Sequence, residues 1–138
     1  MKKIHTNISQ KTQEDKNRYR DEIDLLRGRL NLLNGKDKVL MTMCLENGNS
    51  FRQIARLTGI SDTSIARRIN GLTKRLIDGQ YIVCLRKCDK FTREQMTIAK
   101  DYFLIGLSMR KIAVKRHRSF YHVRETVKKI QSILKDSG

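Results

Sequence analysis

Proline and tryptophan are missing from this 138-residue chain, and acidic residues are scarce beside basic ones, 14 against 30. Without proline, no position loses its N–H or suffers a ring clash inside a helix, so long helices are open to the chain. The three cysteines, Cys44, Cys84 and Cys88, are odd in number and too few for a disulfide framework. They point to a reducing compartment. No run approaches the roughly 18 apolar residues of a membrane span. The start, MKKIHTNISQ, has no apolar stretch behind its two lysines, so it does not read as a secretory signal. A cytoplasmic protein that does not enter the membrane is expected. Cys84 and Cys88 do not have zinc spacing, and no Ser/His/Asp cluster, glycine-rich phosphate loop or carboxylate pair stands out. Neither a metal nor a cofactor is expected, nor an enzyme.

What is present is positive charge, and it is concentrated. The net charge is +16. Residues 50–76 hold 6 basic and 1 acidic residue, and residues 105–138 hold 9 and 2, so +12 lies in these two blocks. The segment 77–104 between them is nearly neutral, with 5 basic and 4 acidic residues. Two basic blocks around a neutral spacer suit two contact surfaces for one polyanion.

The two blocks are also related to each other. Residues 47–76 align with 105–134 without a gap, at an offset of 58. Identities fall at Gly48/Gly106, Ser50/Ser108, Arg52/Arg110, Ile54/Ile112, Ala55/Ala113, Ser61/Ser119 and Leu76/Leu134. Apolar character is kept at Ile65/Val123, Ile69/Val127 and Leu72/Ile130. These are positions that set backbone geometry and packing, the signature of an internal repeat.

Each repeat reads as two helices around a tight turn. In the first, Ser50 is placed to cap a helix from Phe51 to Thr58, with Phe51, Ile54, Ala55 and Leu57 expected inward. Gly59 permits a positive φ and stops it. Ser61 caps a second helix whose Ile65, Ile69, Leu72 and Leu76 form one apolar stripe. IARLTGISDTSIARRIN (54–70) resembles the helix-turn-helix of lac-repressor-type DNA-binding proteins at Ala55, Gly59-Ile60-Ser61, Ile65, Arg67 and Asn70. Arg68 stands where that family usually has an apolar residue. The second repeat, 106–130, resembles the helix-turn-helix of sigma-factor region 4 and of response-regulator output domains, at Gly106-Leu107-Ser108, Ile112-Ala113, Ser119, Val123 and Val127. His117-Arg118 replace the usual Gly-apolar turn, which predicts a wider or differently shaped turn. FTREQMTIAKDYF (91–103) resembles the helix leading into such motifs.

Such a motif inserts the N-terminal half of its second helix into the major groove. The candidate base-reading residues are therefore Asp62, Thr63, Ser64, Arg67 and Asn70 in the first repeat, and Tyr121, His122, Arg124, Glu125 and Lys128 in the second. Arg67 offers two donors to guanine, Asn70 suits adenine or phosphate, and Glu125 can accept from cytosine or orient Arg124. The candidate phosphate ligands are Ser50, Arg52, Arg68, Lys74, Arg75, Ser108, Arg110, Lys111, Lys115, Arg116 and Arg118. Phe120 and Tyr121 suit thymine methyls or a neighbouring surface, and Phe120, beside the turn, is expected to pack inward. With about 8 phosphates neutralised, affinity would fall roughly 10³–10⁵-fold between about 50 and 200 mM salt.

The remaining segments complete an all-α architecture. Residues 1–17 read as a flexible arm and 18–35 as a helix. Tyr19, Ile23, Leu26, Leu30 and Leu33 form a stripe that serves either a homodimer through 19–33 or packing on the first repeat. Residues 36–88 and 89–138 are then two tandem three-helix domains. QYIVCLRKC (80–88) is the one strand-like stretch, and LIDGQYI (76–82) resembles the run that enters the wing of winged helices, so a short β-wing is expected. The resemblances imply a sequence-specific regulator of transcription, bacterial or phage, that binds double-stranded DNA in the nucleoid. Two other readings suit the same features. One is a DNA-targeting module of a transposase or recombinase. The other is a sigma-like factor held by RNA polymerase.

Overall fold

The computed structural model describes residues 6–136, and their side chains from residue 13 onward. Among the described residues every regular element is helical: α1 (Thr6–Arg29), α2 (Gly35–Leu45), α3 (Phe51–Thr58), α4 (Asp62–Asp78), α5 (Gln80–Arg86), α6 (Arg93–Ala99), α7 (Met109–Arg116) and α8 (Phe120–Asp136). Short 3-10 turns at Leu30–Leu32 and Cys88–Lys90 and a π-helical segment at Lys100–Ile105 fill the connections. None of these helices is long and apolar enough to cross a membrane. The chain divides into two compact units, residues 1–69 and 70–138, and the division falls inside α4.

In the first unit, α1 starts at Thr6 rather than at Arg18. From Thr6 to Arg27 the segment has neither glycine nor proline, so nothing in its backbone interrupts a helix that begins at Thr6. Residues 6–17 are thus helical where an unstructured arm is expected, and residues 1–5 of that arm lie outside the described residues. The apolar stripe goes into the chain's own core. Leu26, Leu30 and Leu33 are buried, while Tyr19 is 67% exposed. The buried part of the stripe is therefore not open to a second copy, because α1 and the 3-10 turn pack on α2. Arg27 Nη2 donates to the Leu45 carbonyl at 3.1 Å, which places a cation on the negative C-terminal end of α2. Leu40, Met41, Leu45, Ile54, Ala55, Ile65 and Ile69 complete this core. Leu57, expected inward, is 68% exposed. It lies in the last turn of α3, beside Arg56 and away from the Ile54–Ala55 face.

In the second unit, Ile98, Ile112, Ala113, Val123 and Val127 form one buried cluster and Cys84, Ala99 and Ile130 another. The segment 80–86, expected as a wing, is α5. Its continuous apolar run fits a buried helix as well as a strand. No other strand exists among the described residues to form a ladder with it, and a helix satisfies its own backbone. Cys84 is fully buried here, and burial pushes its thiol up to about 11.

The two helix pairs match in register. α7 and α8 start 58 residues after α3 and α4 (109 against 51, 120 against 62), with 8 residues in both first helices and 17 in both second helices. Gly48 and Gly106 both have positive φ. Ile54/Ile112, Ile65/Val123 and Leu72/Ile130 are all at 0% exposure, so the apolar positions do the same packing work twice.

Candidate nucleic-acid interface

Both helix pairs are built by the same local devices. Gln53 N donates to Ser50 Oγ at 3.2 Å and Ser50 N donates to Gln53 Oε1 at 2.8 Å, a reciprocal cap at the start of α3. Lys111 N donates to Ser108 Oγ at 3.2 Å, giving α7 half of that arrangement. Ser61 and Ser119 accept from Ser64 N and His122 N at the starts of α4 and α8. The Ser50 and Ser108 oxygens thus cap helices, and their hydroxyl protons remain able to donate outward.

Between the helices the first pair turns on Gly59 (φ 77°) and the second on His117 (φ 56°). The left-handed conformation survives without glycine, and what distinguishes the second turn is its bonding. Histidine is among the residues that reach this region, at a cost glycine does not incur. The bonding differs: Gly59 N donates to Ala55 O at 2.9 Å, whereas Arg118 N donates to Ala113 O at 2.9 Å and His117 N to Val114 O at 3.3 Å.

The basic side chains fall into two groups. Arg68 grips Asp37 of α2 through Nε and Nη2, both at 2.7 Å. This bidentate pair takes the place of the apolar contact expected there. Arg75 Nε and Nη2 donate to the Leu104 and Ile105 carbonyls at 2.8 and 3.0 Å. The guanidinium lies where a Cβ on Gly106 (φ 83°) would sit, so glycine leaves room for an arginine cap on this helical end. Arg116 donates to both oxygens of fully buried Asp101, at 2.8 and 3.0 Å, and Lys115 Nζ adds a contact at 3.2 Å. The hydrogen bond to Asp101 raises the Arg116 pKa above its ordinary value. Arg118 Nε lies 2.6 Å from Glu94, which also meets His122 Nε2 at 3.3 Å. Arg68, Arg75, Lys115, Arg116 and Arg118, all expected on phosphates, therefore serve the fold or neighbouring carboxylates.

A second group faces outward. On α4, Thr63, Arg67, Asn70 and Lys74 share one face at i, i+4, i+7 and i+11, and all are exposed. Arg67 and Lys74 have no ion-pair partner among the described residues. Asp62 and Ser64 flank this face. Asp62 makes a loose 3.9 Å contact with Arg52, and Ser64 Oγ accepts from the Ser61 hydroxyl at 2.9 Å. On α8 the matching face is occupied differently. Glu125 lies 3.5 Å from Arg124 and 3.8 Å from Lys128. Tyr121 is 65% exposed, with Arg124 Cζ 5.8 Å from its ring centre. Phe120, expected inward, is 41% exposed, with Arg110 Cζ 5.2 Å above its ring. As the first residue of α8 it precedes the Val123–Val127–Ile130 stripe and is not carried under it. Lys111 is exposed on α7.

Among the described residues no three His, Cys, Asp or Glu side chains come together as a metal site would require. The ties at Asp37–Arg68 and Asp101–Arg116 were not foreseeable from sequence, because the first pair is 31 residues apart and the second 15. The one available hint was Arg68 at a place usually apolar.

No family model matches this chain, and neither a curated protein nor a solved structure matches it.

Proposed function

We propose that this protein binds double-stranded DNA in a sequence-specific way and regulates transcription, as a binding protein and not an enzyme. In this reading α3–α4 and α7–α8 are tandem helix-turn-helix motifs, each of which presents its second helix, α4 or α8, to a major groove. The observation that carries it is the α4 face. Thr63, Arg67, Asn70 and Lys74 are exposed together, and its arginine and lysine stand unpaired while Arg68 beside them is tied to Asp37. An unpaired arginine beside an amide on the front of a capped helix suits bidentate contact to guanine and adenine edges. Arg52, Lys74, Arg110 and Lys111 supply phosphate contacts, with the Ser50 and Ser108 hydroxyls beside them. A nucleoid location follows from duplex binding. A homodimer or an RNA polymerase contact would have to use surface other than the buried part of the α1 stripe.

Fewer free cations mean a gentler salt response than the sequence alone suggests. With about four phosphates neutralised, affinity falls roughly 10²-fold between about 50 and 200 mM salt. Selection of bound duplexes from a random pool, followed by footprinting and a salt titration, tests the reading. One enriched site spanning two unlike segments is expected, and no enrichment over the starting pool would refute it.

A further inference from the structure

We propose that the second unit recognises thymine in its duplex by the 5-methyl group, through Tyr121 and Phe120, and that Glu125 neutralises its own helix and does not read a base. The inference rests on the duplex-binding reading above and specifies how α8 discriminates. On α4, the exposed Arg67 and Lys74 have no ion-pair partner among the described residues, while Asp62 and Ser64 beside them meet Arg52 and Ser61. On α8 the groove-facing polar groups are engaged: Glu125 sits at the place of Arg67 and lies within 3.5–3.8 Å of Arg124 and Lys128, and His122 meets Glu94 at 3.3 Å. The groups left on the front turn are the rings of Phe120 and Tyr121, 41% and 65% exposed.

Two neighbouring large rings at the start of α8 offer an apolar contact to whatever this helix meets. In a major groove the one apolar feature of a base edge is the thymine methyl. The flanking charge suits the same occupant. Arg110 lies 5.2 Å over Phe120 and Arg124 lies 5.8 Å over Tyr121, so each ring is held by a cation able to reach the adjacent phosphate. A neutral protein surface would leave the Arg110 guanidinium, which has no ion-pair partner among the described residues, without a counter-charge.

The test uses the full chain and the duplex it selects. Each thymine of that site is replaced in turn by deoxyuridine, which removes only the methyl, and affinity is measured for the wild type and for Tyr121→Ser. At one or more positions the wild type should lose about fourfold per methyl, the fold-change a buried methyl carries. Tyr121→Ser should bind the thymine duplex more weakly and no longer distinguish the two bases at those positions. Uniform indifference of the wild type to deoxyuridine overturns the inference while leaving duplex binding intact. Equal sensitivity in the wild type and Tyr121→Ser assigns the methyl to other residues and also overturns it. If no duplex is enriched at all, the underlying reading fails and the inference falls with it.

Discussion

The pair α3–α4 and the pair α7–α8 share lengths, caps and buried apolar positions, yet they are tied down by different polar contacts. In the first, Arg68 of α4 holds Asp37 of α2. In the second the corresponding places are Thr126 and Gln95, and the tie has moved to Asp101 with Arg116 and Lys115. The first tie joins two side chains that are 40% and 12% exposed, and the second surrounds a carboxylate with no exposure. An apolar frame can thus be duplicated residue for residue while its charged fasteners diverge. The outward cations differ as well: α4 keeps Arg67 and Lys74 unpaired, and on α8 Arg124 and Lys128 lie beside Glu125.

The largest effect should come from the buried fastener. The double change Lys115→Ala with Arg116→Ala strands the Asp101 carboxylate without a partner, and urea unfolding should show a loss of about 3 kcal/mol. Asp37→Ala leaves only the partly exposed Arg68, which water can solvate, so about 1.5 kcal/mol is expected. If the two losses were equal, the contrast in burial between the units would carry no energetic weight. Gly106→Ala forces a Cβ into the Arg75 guanidinium at φ 83° and should cost about 2 kcal/mol. Adding Arg75→Ala to Gly106→Ala should recover part of that loss by removing the collision. The smallest effects concern the two turns. Gly59→Ala should destabilise by about 1 kcal/mol. His117→Gly should stabilise by up to about 1 kcal/mol, because glycine adopts the same left-handed geometry without strain.

The repeated frame was legible in the sequence because packing follows periodicity. The serine caps, Gly59, and the Ile65–Ile69–Leu72–Leu76 stripe predict helix limits within a few residues of those observed, since each rests on local geometry. The helix at 80–86 is not legible in the same way, because a short apolar run has no period to separate strand from buried helix. The start of α1 leaves little signal, because the polar sequence there has no apolar stripe. The ties of Arg68, Arg75 and Arg116 leave none, because each partner lies in another segment and spacing along the chain does not show it. Arg67 and Asn70 needed only their position relative to the stripe, so their outward placement could be read directly.

Sequence recognition by this protein turns on whether the α4 face of Arg67 and Asn70 meets bases. Titration of a selected duplex with the wild type and with Arg67→Ala is the most direct test, with Lys74→Ala as a phosphate control. Arg67→Ala should lose about 10–100-fold in affinity and relax the preference at one base pair, while Lys74→Ala weakens all sequences alike. Unchanged affinity and unchanged base preference in Arg67→Ala would contradict the account.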